Sequence, residues 1–95
     1  MRIKGFMWLE QYVEKLAWKH GSTPEEVEAL FASNPHFRFV EKGQVAGENM
    51  YAALGRSDEG RYLIVFFIHK LDGRALIISA RDMDDSEKRL YGRRK

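Results

Sequence analysis

The sequence predicts an α+β domain in which two N-terminal helices pack on an antiparallel β-meander and a closing C-terminal helix follows. Three observations predict it. Apolar residues first recur every three or four positions, and from position 37 onward they recur every second position. An acidic cap then precedes a last apolar pair, Leu90 and Tyr91. The 95 residues suffice for a single domain, 1–95, and are too few for two.

A short strand and a first helix open the chain. Residues 3–8 suit a strand, and the apolar spacing of residues 9–20 is that of an amphipathic helix. Lys19 and His20 stand where the helix carbonyls carry partial negative charge. Gly21 suits the left-handed residue that ends many helices. We therefore expect the helix to end at His20.

A second helix has clear start and stop signals. Thr23 suits the N-cap, Pro24 suits the first turn, and Glu26 stands where it completes a capping box with Thr23. The pair Asn34-Pro35 ends the helix, because the residue before a proline avoids the helical conformation.

Four strands and a last helix follow. The 62–68 segment is apolar on both alternating faces, which predicts a central strand covered on both sides. Residues 57–60 and the pair Asp72-Gly73 predict hairpin turns, the latter of type I′. Asp84 and Glu87 form a cap pair for the closing helix. The predicted strands are 37–41, 49–56, 61–69 and 74–81.

Composition narrows the class of protein. The chain has no cysteine, which removes disulfides, thiolate nucleophiles and thiolate metal sites. His36 and His69 have no second ligand at metal spacing, so neither a metal nor a cofactor is expected. No apolar run approaches the roughly 20 residues that cross a bilayer, and no signal segment opens the sequence. We expect a cytoplasmic protein without a membrane span.

The net charge of +2 is too small to indicate nucleic-acid binding, but its distribution is informative. Basic residues concentrate between Arg81 and Lys95, whereas the second helix carries acidic residues. Arg81 itself closes the apolar run 75–78, so its guanidinium is fixed at a strand end. A fixed guanidinium predicts an anionic ligand, most simply a phosphate.

Several short motifs lie in one order along nearly the whole chain: Phe6-Met7-Trp8, Lys19-His20-Gly21, Glu26 with Leu30-Phe31, Gly47-Glu48 before Leu54-Gly55, Ile78-Ser79-Ala80-Arg81, and Glu87 with Tyr91. In their order and spacing they resemble the BrnT family of bacterial type II toxins. The resemblance implies a RelE-like fold, RNA cleavage without a metal, and inhibition by a BrnA-like antitoxin. It leaves open a homodimer or a heterotetramer with the antitoxin.

Three positions depart from the pattern that the resemblance implies. Leu9 stands where an aspartate is usual, and Met50 and Leu76 stand where arginines are common. Arg74 is two residues from Leu76, and Arg56 shares a strand face with Met50. We therefore expect these two arginines to bind RNA and to compensate in part.

The resemblance implies metal-free RNA cleavage, which needs a base, a stabilised phosphate and a proton donor, and residue chemistry offers a candidate for each of these roles. Arg81 either holds the phosphate or pairs with Asp82, Asp84 or Glu48. His20 is a general base or acid, or merely a partner of the helix dipole. The catalytic candidates are Lys19, His20, Glu48, Arg81 and Tyr91.

The other candidates also keep two interpretations. Lys19 is catalytic or a solvated surface lysine, and Glu48 is a base or an ordinary loop charge. Tyr91 donates a proton or stacks on a base, or it packs the last helix on the sheet. Arg93 and Arg94 follow the RNA backbone or only solubilise the terminus.

The resemblance thus implies a metal-independent endoribonuclease toxin, whose product would carry a 2′,3′-cyclic phosphate. Two alternatives remain at this point. One is a catalytically weakened RNA- or protein-binding module of the same fold, which the substitutions Met50 and Leu76 favour. The other is a subunit that only docks a partner.

Overall fold

A computed structural model describes residues 1–93, except for the side chains of residues 16–20. It is a mixed α+β structure, as predicted. Within the described residues the elements are β1 (Gly5–Met7), α1 (Glu10–His20), α2 (Pro24–Ala32), β2 (His36–Glu41), β3 (Met50–Arg56), β4 (Tyr62–His69), β5 (Arg74–Asp82) and α3 (Asp85–Gly92). No helix of this described part combines the length and the apolarity that crossing a bilayer demands.

The strands form one five-stranded sheet in the order β1-β5-β4-β3-β2. Strands β2 to β5 pair antiparallel, and β1 adds to the edge beside β5 in parallel. Strand β4 is central, as its two-sided apolar sequence predicted. The sheet is therefore not purely antiparallel, because β1 returns beside the last strand rather than the first strand of the meander.

The two sheet faces bury different clusters. On the face covered by α2, the side chains of Val27 and Leu30 pack with Leu63, Val65 and Phe67, all fully buried. The opposite face carries a smaller cluster, which α3 covers with Leu90 and Tyr91. Its other members are Ala52, Leu54, Tyr62, Ile64, Phe66 and Met83. We call this second side the α3 face. It contains the candidate site.

Caps and turns explain where the elements end. Gly21 has a φ of 63° and ends α1, as predicted. The Thr23 hydroxyl accepts from the Glu26 N–H, but the predicted capping box is incomplete, because the Glu26 carboxylate binds Arg61 at 3.2 Å instead. At α3 the capping box between Asp84 and Glu87 is complete.

The last hairpin turn differs from the prediction. A type I′ turn needs positive φ at both central residues, whereas in this turn only Gly73 has a positive φ, 92°. The Gly73 N–H donates to the carbonyl of Lys70, so the central residues are Leu71 and Asp72. The turn is therefore a type I turn followed by a glycine bulge. The turn at Ser57–Gly60 follows the same pattern, with a φ of 87° at its glycine.

Candidate functional site

Arg81 lies near the end of β5 and points onto the α3 face, in register with Ile64 of β4. Its Nη1 donates to Glu87 Oε1 at 2.7 Å and its Nη2 to Glu87 Oε2 at 2.8 Å. Nη1 also donates to the Asp82 carbonyl at 3.1 Å. The guanidinium carbon stands 5.5 Å from the ring centre of Phe66. These contacts hold the Arg81 guanidinium at the strand end. Its carboxylate partner is Glu87, not Asp82, Asp84 or Glu48.

Arg81 and Glu87 stabilise each other's charged forms. Hydrogen bonding from Arg81 lowers the pKa of Glu87, and the same contact raises the pKa of Arg81. Both groups are therefore ionised at neutral pH. The Glu87 side chain is 13% exposed and that of Arg81 is 38% exposed, so the carboxylate lies beneath the guanidinium and the guanidinium faces solvent.

One edge of the Arg81 guanidinium makes no hydrogen bond to the described residues. A guanidinium has five N–H donors, and the two Nη1 donors and one Nη2 donor are accounted for by Glu87 and the Asp82 carbonyl. The Nε–H and the second Nη2–H have no partner among the described residues. These two donors point in parallel from one edge, the arrangement that binds two oxygens of a phosphate.

A cavity of about 220 Å³ opens on the α3 face beside this pair, between β2 and α3. Its walls are mostly apolar, with one arginine from β2 and one carboxylate from α3. The lining residues are Arg38, Phe39, Val40, Ala52, Ile64, Phe66 and Glu87. Arg81 thus borders a concave surface, which it reaches through its contacts with Phe66 and Glu87.

Arg56 and Tyr91, two of the predicted residues, also lie on the α3 face. The Arg56 guanidinium carbon is 4.8 Å from the ring centre of Tyr62, and the Tyr91 ring is 6.1 Å from the same ring. Lys88 Nζ lies 5.7 Å from Tyr62. Arg56 lies opposite Tyr62 of β4 and Arg81 lies opposite Ile64. The two arginines are thus two strands apart and offset by two residues along the strands, roughly 12 Å between Cα atoms. The face therefore presents cations and aromatic rings together.

Glu48 and Arg74 lie at the other end of the sheet. Arg74 is the first residue of β5, seven positions before Arg81 and so roughly 23 Å away. Its Nε pairs with Asp72 Oδ2 at 2.8 Å. Glu48 accepts from Lys70 Nζ at 2.8 Å and from the Leu71 N–H at 3.0 Å. The structure does not bring these two residues together with Arg81.

The structure describes the other predicted site residues only in part. The side chains of Lys19 and His20, and the whole of Arg94, lie outside the described residues. The His20 backbone is the last residue of α1, and Arg93 is the exposed C-cap of α3.

Met50 and Leu76, which stand where the resemblance places arginines, lie in one row across the strands on the α3 face. Met50 and Leu76 both lie opposite Ile68 of the central strand. All three side chains are partly buried. The row on which the resemblance places arginines is therefore apolar in this chain.

Two residues of the candidate site, Arg38 and Glu87, were not among the predicted site residues. The capping box identified Glu87 but not its pairing with Arg81, because the pair depends on how α3 docks. Arg38 was overlooked, although its period-two relation to Val40 in a predicted strand places both on one face. Both residues line the cavity.

A larger cavity, about 320 Å³, lies between the start of α2 and the Ser57–Gly60 turn. Four carboxylates line it, together with Arg61, and they are Glu25, Glu26, Asp58 and Glu59. Their negative charge disfavours an anionic ligand. Among the described residues, no group of three or more histidine and acidic side chains is arranged to hold a metal ion.

We predict that Glu48 stabilises the fold in a pH-dependent way. The hydrogen bond from the Lys70 side chain lowers the pKa of Glu48. Its contribution is therefore complete above the ordinary carboxyl pKa and is lost as the pH falls through the lowered value. Glu48→Gln should lower the urea midpoint at pH 7, and its difference from the parent should shrink near pH 3. The exposed Glu41→Gln is the control; equal midpoints for Glu48→Gln and the parent at pH 7 would contradict the prediction.

Comparison with known families gives one match over most of the chain. A family model described as the ribonuclease toxin BrnT of a type II toxin-antitoxin system matches residues 8–87. The matched range includes Arg81 and Glu87 and ends before Tyr91. No curated protein gives a significant match to the chain.

Proposed function

Because the chain belongs to the BrnT family of ribonuclease toxins of type II toxin-antitoxin systems, we propose that it is an endoribonuclease that cuts RNA without a metal or cofactor. The ribose 2′-OH attacks the adjacent phosphorus, and the 5′-oxygen of the next nucleotide leaves. The products carry a 2′,3′-cyclic phosphate and a 5′-hydroxyl. We further propose a RelE-like fold, action in the cytoplasm and inhibition by a BrnA-like antitoxin, with the toxin either a homodimer or part of a heterotetramer.

The observation that carries this proposal is the edge of Arg81 that makes no hydrogen bond to the described residues. The Nε–H and the second Nη2–H bind two phosphate oxygens, and they stabilise the charge that develops as the 2′-oxygen adds. Glu87 positions the guanidinium through its two hydrogen bonds. Because the carboxylate binds the adjacent Nη1/Nη2 edge through one hydrogen of each nitrogen, phosphate and carboxylate do not compete for the same donors.

His20 is the better candidate for the base. Glu48 lies at the far end of β5, whereas His20 ends α1 just before α2. Arg61 ties α2 to the end of β5, through Glu26 at 3.2 Å and Asp82 at 2.9 Å. The end of α1 is therefore at the same end of the sheet as Arg81, but beside the face that α2 covers, so His20 has to reach the phosphate around the end of β5. Lys19 adds positive charge at the same helix end.

The proton donor and the strand-binding residues complete the proposal. Tyr91 protonates the leaving oxygen or stacks on a base, since its ring lies on the α3 face beside Tyr62. Arg56 and the terminal Arg93 and Arg94 follow the RNA backbone. Arg74 extends the contact toward the other end of the sheet.

A second candidate function is a binding module that has lost catalysis. The apolar row of Met50, Ile68 and Leu76 favours it, because cations there would neutralise phosphates and apolar side chains do not. Such a module binds RNA or a partner protein and leaves RNA intact.

Incubation of the purified protein with total RNA in excess chelator tests the first proposal. We expect fragmentation, with 2′,3′-cyclic phosphate and 5′-hydroxyl ends, and suppression by the cognate antitoxin. Cleavage that appears only when Mg²⁺ is added would contradict metal independence. Intact RNA, bound with a steep dependence on salt, would favour the binding module.

A further inference from the structure

The cavity on the α3 face has the size and walls of a site for one planar ring. Its volume, about 220 Å³, is below the roughly 300 Å³ at which sites for drug-sized ligands begin. Val40, Ala52 and Ile64 supply aliphatic walls, and Phe66 supplies an aromatic one. Single-stranded RNA is commonly read by stacking its bases on such aromatic rings.

The two polar groups of the cavity come from opposite sides. Arg38 projects from the edge strand β2, and Glu87 from α3. Arg38 has no carboxylate partner among the described residues. Oε1 of Glu87 already accepts from Arg81 and from the Asp84 N–H, whereas Oε2 accepts only from Arg81. Oε2 therefore keeps a lone pair for another donor.

This combination matches one base. Guanine presents two acceptors, O6 and N7, to which an arginine donates in bidentate fashion. Its neighbouring edge carries N1–H and N2–H donors, which suit a carboxylate oxygen. Adenine replaces the O6 acceptor by an amino donor, which an arginine opposes, and the pyrimidines have no N7.

The cavity also lies at the right distance from the phosphate-binding edge. Phe66 lines the cavity and at the same time lies 5.5 Å from the guanidinium carbon of Arg81. One nucleotide can thus place its base against Phe66 and its phosphate on Arg81. We propose that the cavity between β2 and α3 is a guanine subsite, read by Arg38 and Glu87, of the RNA strand whose phosphate Arg81 holds; this rests on the proposed ribonuclease function.

Binding of the four 3′-nucleoside monophosphates to the whole chain tests the subsite separately from cleavage. Chemical shifts of Val40, Ala52 and Ile64 report occupancy of the cavity. We expect 3′-GMP to bind about tenfold or more tighter than 3′-AMP, 3′-CMP and 3′-UMP, and Arg38→Ala to remove that preference. Lys42→Ala, which removes an exposed cation just beyond β2, should change no affinity by more than about twofold.

Mapping of cut sites supplies the second measurement. Cleavage by the parent next to guanosines, and cleavage by Arg38→Ala without base preference, would support the subsite. Cleavage by the parent with no preference, together with equal affinities for the four nucleotides, would overturn the subsite and leave the ribonuclease proposal standing. Selective binding of 3′-GMP without any cleavage would overturn the ribonuclease and keep the subsite. Shifts caused by the antitoxin alone, and by no nucleotide, would overturn the subsite and make the cavity a protein-docking groove.

Discussion

Arg81→Ala is expected to reduce the rate of RNA cleavage by about a hundredfold or more, the usual effect of removing a donor that stabilises developing charge. The substitution removes both parallel N–H donors that we assign to the phosphate. Single-turnover cleavage of a short RNA measures the effect directly. Arg81→Lys keeps the charge but has no parallel pair of donors, so it should recover only a small part of the rate.

Two controls separate chemistry from folding. Arg2→Ala removes an exposed cation from the N-terminal end of the chain and should leave the rate unchanged. Arg81→Ala also leaves the largely buried Glu87 carboxylate without its guanidinium, which lowers stability. The double variant Arg81→Ala, Glu87→Gln removes that unpaired charge and should regain stability without regaining cleavage. If it cuts RNA at the parent rate, Arg81 does not bind the scissile phosphate.

The fold was largely predictable because its signals are local. The observed bounds of β2 to β5 lie within one residue of the predicted ones, since alternation and the glycine turns fix where each strand begins and ends. Gly21 and the Asp84 cap were read correctly for the same reason. The parallel pairing of β1 with β5 was not predicted, because no local pattern shows which distant strand a three-residue strand joins.

The site was predictable only where strand alternation governs it. Alternation puts Met50 and Arg56 on one face, but their separation of six residues along the strand also puts them roughly 20 Å apart, too far for one side chain to replace the other. Similarly, Glu48 and Arg81 looked like members of one site until the sheet placed them at opposite ends. The partner of Arg81 depends on the docking of α3, a tertiary feature that spacing along the chain does not encode.

Phe67→Ala is expected to lower the free energy of unfolding by about 3–5 kcal/mol, because Phe67 is fully buried at the centre of the larger cluster. Its ring lies 5.2 Å from Phe31, 5.9 Å from Phe37 and 6.0 Å from Tyr51, and truncation loses all three contacts. Small domains have a total stability of roughly 5–15 kcal/mol. Urea unfolding at an unchanged slope measures the loss.

The neighbouring Phe66 makes the prediction discriminating. It lies on the same strand but points to the opposite face, where it is only partly buried and lines the cavity. Phe66→Ala should therefore cost clearly less stability than Phe67→Ala, yet it should weaken 3′-GMP binding about tenfold through lost stacking. An equal loss of stability in both variants, with unchanged nucleotide binding in Phe66→Ala, would mean that the α3 face is a second core rather than a site. The opposite faces of one central strand would then serve packing alone.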